Sequence, residues 1–174
     1  GSRVGGSLAP FVLAPLKIDP VVAPTTLLGR HPGWGAPGGA PVPAETLASM
    51  LDGVEANGLF SLCDAVLTGY FASADQVAVA VEAIGRIRAA PRPQGQGAPF
   101  VLVDPIMGDA DVGPYVPADT AAAIARTLAP LADLVGCNLW EFMQLSDCGP
   151  RQQVEEVAAA ALASGRDWLV TSVV

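Results

Sequence analysis

Ala98-Pro-Phe-Val-Leu-Val-Asp-Pro105 is a short, continuous apolar run that stops at an Asp-Pro pair. A run of that length with no polar alternation predicts a strand buried on both faces, the signature of a parallel sheet. The same grammar recurs in Asp64-Ala-Val-Leu-Thr-Gly-Tyr70, in Ala132-Asp-Leu-Val-Gly-Cys-Asn138 and in Asp167-Trp-Leu-Val-Thr-Ser172. Helical patterns lie between the runs. Ser73-Ala-Asp-Gln76 reads as a capping box ahead of Val77, Ala80, Val81, Ile84 and Ile87, which fall on one helical face. Leu47, Met50, Leu51 and Val54 repeat the pattern, as do Ala121, Ile124, Ala125 and Leu128. So do Val154, Val157, Ala158, Ala161 and Leu162, with Gly165 as the expected C-terminal stop. Strands alternating with helices imply right-handed βαβ units. The expected fold is α/β: a doubly wound, mostly parallel sheet flanked by helices.

The chain has 174 residues, the size of one ordinary domain, so residues 1–174 are read as a single α/β unit. Hydrophobic residues make up 51% and charged residues 15%, a balance that folds rather than stays disordered. A formal net charge of -8 supplies no basic stripe, which argues against a nucleic acid or an anionic membrane as partner. A phosphorylated small ligand is still compatible, because helix-start amides and a bound cation provide positive field locally. Cys63, Cys137 and Cys148 form no CxxC pair, so reduced thiols in a cytoplasmic protein are the simplest reading. No stretch has the length of a membrane span and no secretory leader is visible.

Residues 29–43 break the rhythm. Five glycines and four prolines, with Trp34 and the single histidine, His31, make the stretch too irregular for a regular element, and it reads as a functional flap. Residues 91–99 form a polar connector. Gly1-Ser-Arg-Val-Gly-Gly-Ser7 has the look of a loop that follows a strand, and Val174 comes directly after one. The sheet is therefore expected to be incomplete at both ends.

In open α/β sheets ligands bind beyond the carboxyl ends of the strands, so the polar residues closing each run should converge. These are Tyr70, Asp104, Asp109, Asn138, Glu141, Thr171 and Ser172. Such oxygens suit a hard cation bridging phosphate groups. In Asp104-Pro-Ile-Met-Gly-Asp109, Gly108 permits a turn that can carry the second carboxylate back toward the first; a strand-ending turn with two solvated acids is the plainer alternative. Asn138 and Glu141 are placed to cap a helix, a role compatible with cation binding. His31 and Trp34 can stack on an aromatic ligand, although a loop histidine pinned to nearby carbonyls explains the pair more simply. Cys137 sits where a helix start lowers a thiol pKa, but without a base beside it a structural role is favoured.

Thr68-Gly-Tyr70, Asp104-Pro-Ile-Met-Gly-Asp109, Tyr115-Val-Pro117, Leu131-Ala-Asp-Leu134, Asn138-Leu-Trp-Glu141 and Val170-Thr-Ser172 resemble, in order and spacing, the motifs of pyridoxal kinases, a family of the ribokinase-like superfamily. Arg3-Val-Gly-Gly6 resembles the loop after that family's first strand, and His31-Pro-Gly-Trp34 its Asn-His-Thr-Gly-Tyr motif. The resemblance spans nearly the whole chain. It implies ATP-dependent phosphorylation of the 5′-hydroxymethyl group of pyridoxal, pyridoxine or pyridoxamine, giving pyridoxal 5′-phosphate in vitamin B6 salvage. It places His31, Trp34 and Tyr70 around the pyridine ring, with Tyr115 on the substrate side of a lid loop shared with Asp109. Asp104, Asn138, Thr171 and Ser172 would face the ATP phosphates, and Asp104, Asp109 and Glu141 the magnesium ion, with room for a monovalent cation such as K+ near Asp104. Homodimers are usual in the family.

The departures are specific. The family's Asn-His-Thr is Arg30-His31-Pro32 here, and a common Thr-Pro-Asn is Gly136-Cys137-Asn138. The glycine-rich turn ending in Asp, which in the family supplies the anion hole and the general base, has no match, nor does the first-strand serine that contacts the vitamin. A non-catalytic relative that binds a vitamer, a nucleotide or a protein, and a hydroxymethylpyrimidine-type kinase of the same fold, are the competing readings.

Overall fold

The computed structural model describes residues 5–146, 149 and 153–173. Cys148, Arg3 and Val4 lie outside the described residues.

Four strands form one all-parallel sheet: β3 (Ala65–Thr68), β4 (Phe100–Val103), β7 (Leu134–Asn138) and β8 (Asp167–Thr171), in that order across the sheet. They are the four runs expected from the sequence. Two antiparallel hairpins accompany the sheet: β1 (Thr26–Leu28) with β2 (Gly39–Pro41), ahead of β3, and β5 (Gly108–Asp109) with β6 (Gly113–Pro114), between β4 and β7. The helices are α1 (Ala9–Leu13), α2 (Ala44–Ala56), α3 (Ala74–Ala89), α4 (Ala118–Ala123), α5 (Leu139–Ser146) and α6 (Val154–Ala163). A π-helical turn, Ile124–Leu128, continues α4 and buries both of its end residues. Gly165, at φ 67°, takes the left-handed conformation that ends α6.

Alternate strand residues point to opposite sides. Val101 and Val103 of β4 pack on Val77 and Ile84 of α3 and on Ile124 and Leu128. Val135 and Cys137 of β7 pack on Phe142 of α5 and Val157 of α6, and Phe142 meets Trp168 edge-on at 4.9 Å. The other side differs from the sequence expectation of strands buried on both faces. Leu67 is 64% exposed, Leu169 57%, and Phe100 is exposed as well. The runs are apolar on both faces, but among the described residues the core clusters of α3 to α6 cover one.

The 29–43 stretch is also more regular than its composition suggests. Its second half is strand β2, paired with Thr26–Leu28 in the register Thr26↔Pro41 and Leu28↔Gly39. Gly39, at φ 93°, admits no side chain: a Cβ there would lie 1.9 Å from the Leu27 carbonyl oxygen. The flap is thus a short hairpin topped by a single turn at Pro32–Trp34.

Candidate functional site

Parallel register sets the carboxyl ends of β7 and β8 side by side, with Asn138 opposite Thr171, while β4 ends at Val103 opposite Val135, so the loop after β4 runs alongside the last residues of β7. Asn138 ends β7 and opens α5. Its Oδ1 accepts from the Glu141 N–H at 2.9 Å, while Glu141 Oε2 accepts from the Asn138 N–H at 3.0 Å, a reciprocal capping box. Glu141 is only 3% exposed, and its other oxygen, Oε1, accepts from the N–H of Met107 at 2.7 Å and of Gly108 at 3.4 Å. Asn138 Nδ2 donates to the Gly108 carbonyl at 2.8 Å. The first turn of α5 therefore grips the loop after β4 from both sides. Gly108 is required by that approach, since a Cβ would fall 2.5 Å from the Gly113 carbonyl and 2.7 Å from the Trp140 ring.

Within the gripped loop Ile106 has φ 39°, a left-handed conformation that costs a β-branched residue on the order of 1–3 kcal/mol. Ser172, just beyond β8, is likewise left-handed at φ 61°. Asp104, at the end of β4, accepts a backbone hydrogen bond from Ile106. Burial, and next the negative charge of Glu141, push its carboxyl up to about 6, against the pull of that hydrogen bond. The same causes, burial and then Glu141 and Asp104, push the Cys137 thiol up to about 12, which rules against a nucleophilic role and fits its place in the core. Among the described residues neither carboxylate has an ion-pair partner.

Asp109 goes elsewhere. Its Oδ1 accepts from the N–H groups of Asp111 and Val112 at 2.9 and 2.8 Å, and its Oδ2 from the Tyr115 hydroxyl. The Tyr115 hydrogen bond, foremost, holds the Asp109 carboxyl below its ordinary range, and Asp109 in turn pushes the Tyr115 phenol up to about 12. Among the described residues no three His, Cys, Asp or Glu side chains are grouped so as to hold a metal ion. The three carboxylates expected to share a cation thus do not form one cluster, because nearer donors in the β5–β6 turn capture Asp109. Asp104 still fits magnesium in its usual mode, one carboxylate with the remaining positions filled by phosphate oxygens and water, whereas both Glu141 oxygens are already on backbone N–H groups. The charge of the two carboxylates, neither of which has an ion-pair partner among the described residues, is what such an ion would neutralise.

Thr171 Oγ1 donates to the Cys137 carbonyl at 3.4 Å, and Thr171 and Ser172 are exposed at the carboxyl end of β8. His31 and Trp34 sit together on the flap, both exposed, with ring centroids 6.1 Å apart; His31 Nδ1 accepts from the Gly33 N–H and so caps the flap turn. Tyr70 is half-buried against the core, and its carbonyl accepts from the Thr25 hydroxyl at 2.6 Å. The expected residues therefore fall into three groups: the strand-end set of Asp104, Asn138, Glu141, Thr171 and Ser172, the hairpin pair Asp109 and Tyr115, and the flap pair with Tyr70 near its base.

Gln76 was legible only as a capping residue. Its backbone N–H does donate to Ser73 Oγ, at 3.3 Å, but its side chain does not return to Ser73. Oε1 accepts from the Ala72 N–H at 2.8 Å, and Nε2 donates to the carbonyls of Thr25 at 2.8 Å and Val42 at 2.6 Å. No local pattern could have signalled partners 51 and 34 residues away.

A parallel sheet with a carboxylate, an amide and a capped helix start at its strand ends is the architecture of an open α/β protein whose polar groups gather where such folds bind ligands. The comparisons sharpen the class. No protein-family profile matches the chain. A pyridoxal kinase of Deinococcus radiodurans is 37% identical over 162 residues, covering 93% of this chain and 51% of that protein. The crystal structure of pyridoxal kinase from Entamoeba histolytica superimposes with a TM-score of 0.87 at 26% identity, covering 100% of this chain and 61% of that one. Pyridoxal kinase from Leishmania donovani, in complex with ADP and pyridoxamine, gives 0.83 at 28% identity, covering 92% and 53%. The chain belongs to the pyridoxal kinase family of ribokinase-like proteins. It spans between about half and three fifths of the length of these relatives.

Proposed function

We propose that the chain carries the nucleotide-facing crevice and the vitamer flap of a pyridoxal-kinase-type phosphotransferase, which moves the γ-phosphate of ATP to the 5′-hydroxymethyl group of pyridoxal, pyridoxine or pyridoxamine. The observation that carries this is the strand-end arrangement, in which Glu141 and Asn138 organise the Met107–Gly108 backbone beside a half-buried, charge-strained Asp104. The solved relative with ADP and pyridoxamine supports the same pair of ligands.

Asp104 would hold the cation, with Glu141 adding charge from behind while its own oxygens stay on backbone N–H groups. Magnesium supplies charge neutralisation on the phosphate oxygens. Asn138 sets the loop against which the phosphates lie. Thr171 and Ser172 offer hydroxyls at the open edge, and the left-handed Ser172 turns the chain there. His31, Trp34 and Tyr70 provide flat faces and polar edges for the pyridine ring. Pro32 in place of the family's Thr removes one hydroxyl from that wall. Tyr115, locked to Asp109, stiffens the lid hairpin over the crevice.

The acceptor hydroxyl also needs a general base, and the transferred group needs preorganised amide donors. No glycine-rich turn ending in Asp occurs among these 174 residues, so binding rather than transfer is assigned to them. Calorimetric titration of the chain with pyridoxal, a hydroxymethylpyrimidine and MgADP tests this. Binding of pyridoxal and MgADP is expected. Failure to bind either, or a preference for the pyrimidine, contradicts the reading, and ATP-dependent phosphorylation of pyridoxal by these residues alone contradicts the assignment of the base.

A further inference from the structure

Gln76 is 1% exposed, and every polar atom of its side chain is committed. Its two amide hydrogens go to Thr25, immediately before β1, and to Val42, immediately after β2. These two residues face each other at the foot of the flap, where the Val42 N–H donates to the Thr25 carbonyl at 2.9 Å. One side chain therefore grips both legs of the hairpin where they leave the body of the protein. Its oxygen takes the Ala72 N–H, two residues beyond Tyr70, and its backbone starts α3 under the Ser73 cap. The Thr25 hydroxyl adds a second tie, to the Tyr70 carbonyl.

The flap has little else to fix it. Its strands are three residues long, Leu27, Leu28, Gly39, Ala40 and Pro41 are exposed, and so are His31 and Trp34 at its tip. A two-stranded ribbon of that size is not stable by itself in water. Its orientation depends on the bolt at its base.

We infer that Gln76 is a positioning residue for the vitamer: by clamping Thr25 and Val42 to the start of α3, it holds the flap that carries His31 and Trp34 in register with Tyr70. This inference rests on the reading of the flap as the pyridoxal wall. Gln76 touches neither the strand-end crevice nor its carboxylates, so its effect is confined to one of the two ligands.

The test uses Gln76→Met and Gln76→Glu, both close to glutamine in size. Methionine loses all three hydrogen bonds; glutamate replaces the donor with an acceptor facing two carbonyls. Pyridoxal and MgADP are titrated separately, and amide exchange is followed at Gly29 and Val42 of the flap and along α3. Both variants are expected to weaken pyridoxal binding by about tenfold or more, leave MgADP within about twofold, and speed exchange in the flap but not in α3. Unchanged pyridoxal affinity, or parallel loss of both ligands with faster exchange in α3, overturns the inference. Should neither variant fold, Thr25→Val, which removes only the tie to Tyr70, decides by the same selective loss of pyridoxal or its absence. If the unsubstituted chain binds MgADP but not pyridoxal, the reading of the flap falls and takes this inference with it; normal binding by the parent with no selective loss in the variants overturns this inference alone.

Discussion

Asn138 and Glu141 hold one another through two hydrogen bonds of 2.9 and 3.0 Å, each side chain accepting from the other's backbone N–H. The pair does more than cap α5, because the same two side chains fasten the Met107–Gly108 segment that follows β4. The helix start, the loop and the carboxylate at the strand end thus form one unit.

Glu141→Ala should therefore be costly. It strips acceptors from three backbone N–H groups in a buried setting, and a loss of about 3 kcal/mol is expected from the unsatisfied donors. Glu141→Gln keeps the shape but aims an N–H at an N–H, so it should recover only part of the loss. Urea denaturation of the parent and both variants measures this; equal midpoints for all three would mean that the capping geometry contributes nothing.

Asp104 predicts a pH dependence of definite sign. Its folded carboxyl titrates near 6, above the ordinary value of about 3.9, so between those pH values the folded state binds the proton that the unfolded state has released. Its contribution must fall as pH rises from about 4 to about 6 and stay unfavourable above that. Asp104→Asn should accordingly be more stable than the parent at pH 7 by about 1–2 kcal/mol, with the advantage vanishing below about pH 4. Thermal unfolding across that range, taken as the difference between the two proteins, shows whether the advantage has this slope.

The Asp109 and Tyr115 pair is open to spectroscopy, since the chain has only two tyrosines. Ultraviolet titration should show one phenol ionising near 12, and Asp109→Asn should return it toward the ordinary value of about 10. An unmoved titration would place the two side chains apart in solution.

Gly108→Ala tests the close approach of the β5–β6 hairpin to α5. A methyl group 2.5 Å from one carbonyl and 2.7 Å from the Trp140 ring cannot be accommodated without moving the β5–β6 hairpin, at a cost of about 1–3 kcal/mol. The tryptophan emission should shift with it, whereas Gly53→Ala, where a Cβ meets nothing within 4 Å, should leave the emission unchanged.

Much of this was readable from the residues. The four apolar runs are the four strands of the sheet, and the helical faces at Leu47, Val77 and Ile124 are buried as the periodicity requires; of the face expected over α6 only Val157 is buried, with Val154 56% and Leu162 84% exposed. The capping pair at Asn138 was readable because its signal is local. Three features were not. An apolar run tells that both strand faces are apolar, not that both are covered, and Leu67 and Leu169 lie bare. The return of Asp109 toward Asp104 was plausible from Gly108, but the N–H groups of Asp111 and Val112 are nearer partners. The flap hairpin exists through pairing across more than ten residues and through Gln76, whose partners lie far along the chain.

On the proposed function, the strand ends receive a nucleotide through a magnesium ion on Asp104. Calorimetric titration of ADP into the parent chain and into Asp104→Asn, each with magnesium and with EDTA, tests it most directly. Magnesium-dependent binding is expected of the parent, weakened by about tenfold or more in Asp104→Asn. Nucleotide binding that is indifferent to EDTA, or equal in the two proteins, would contradict it.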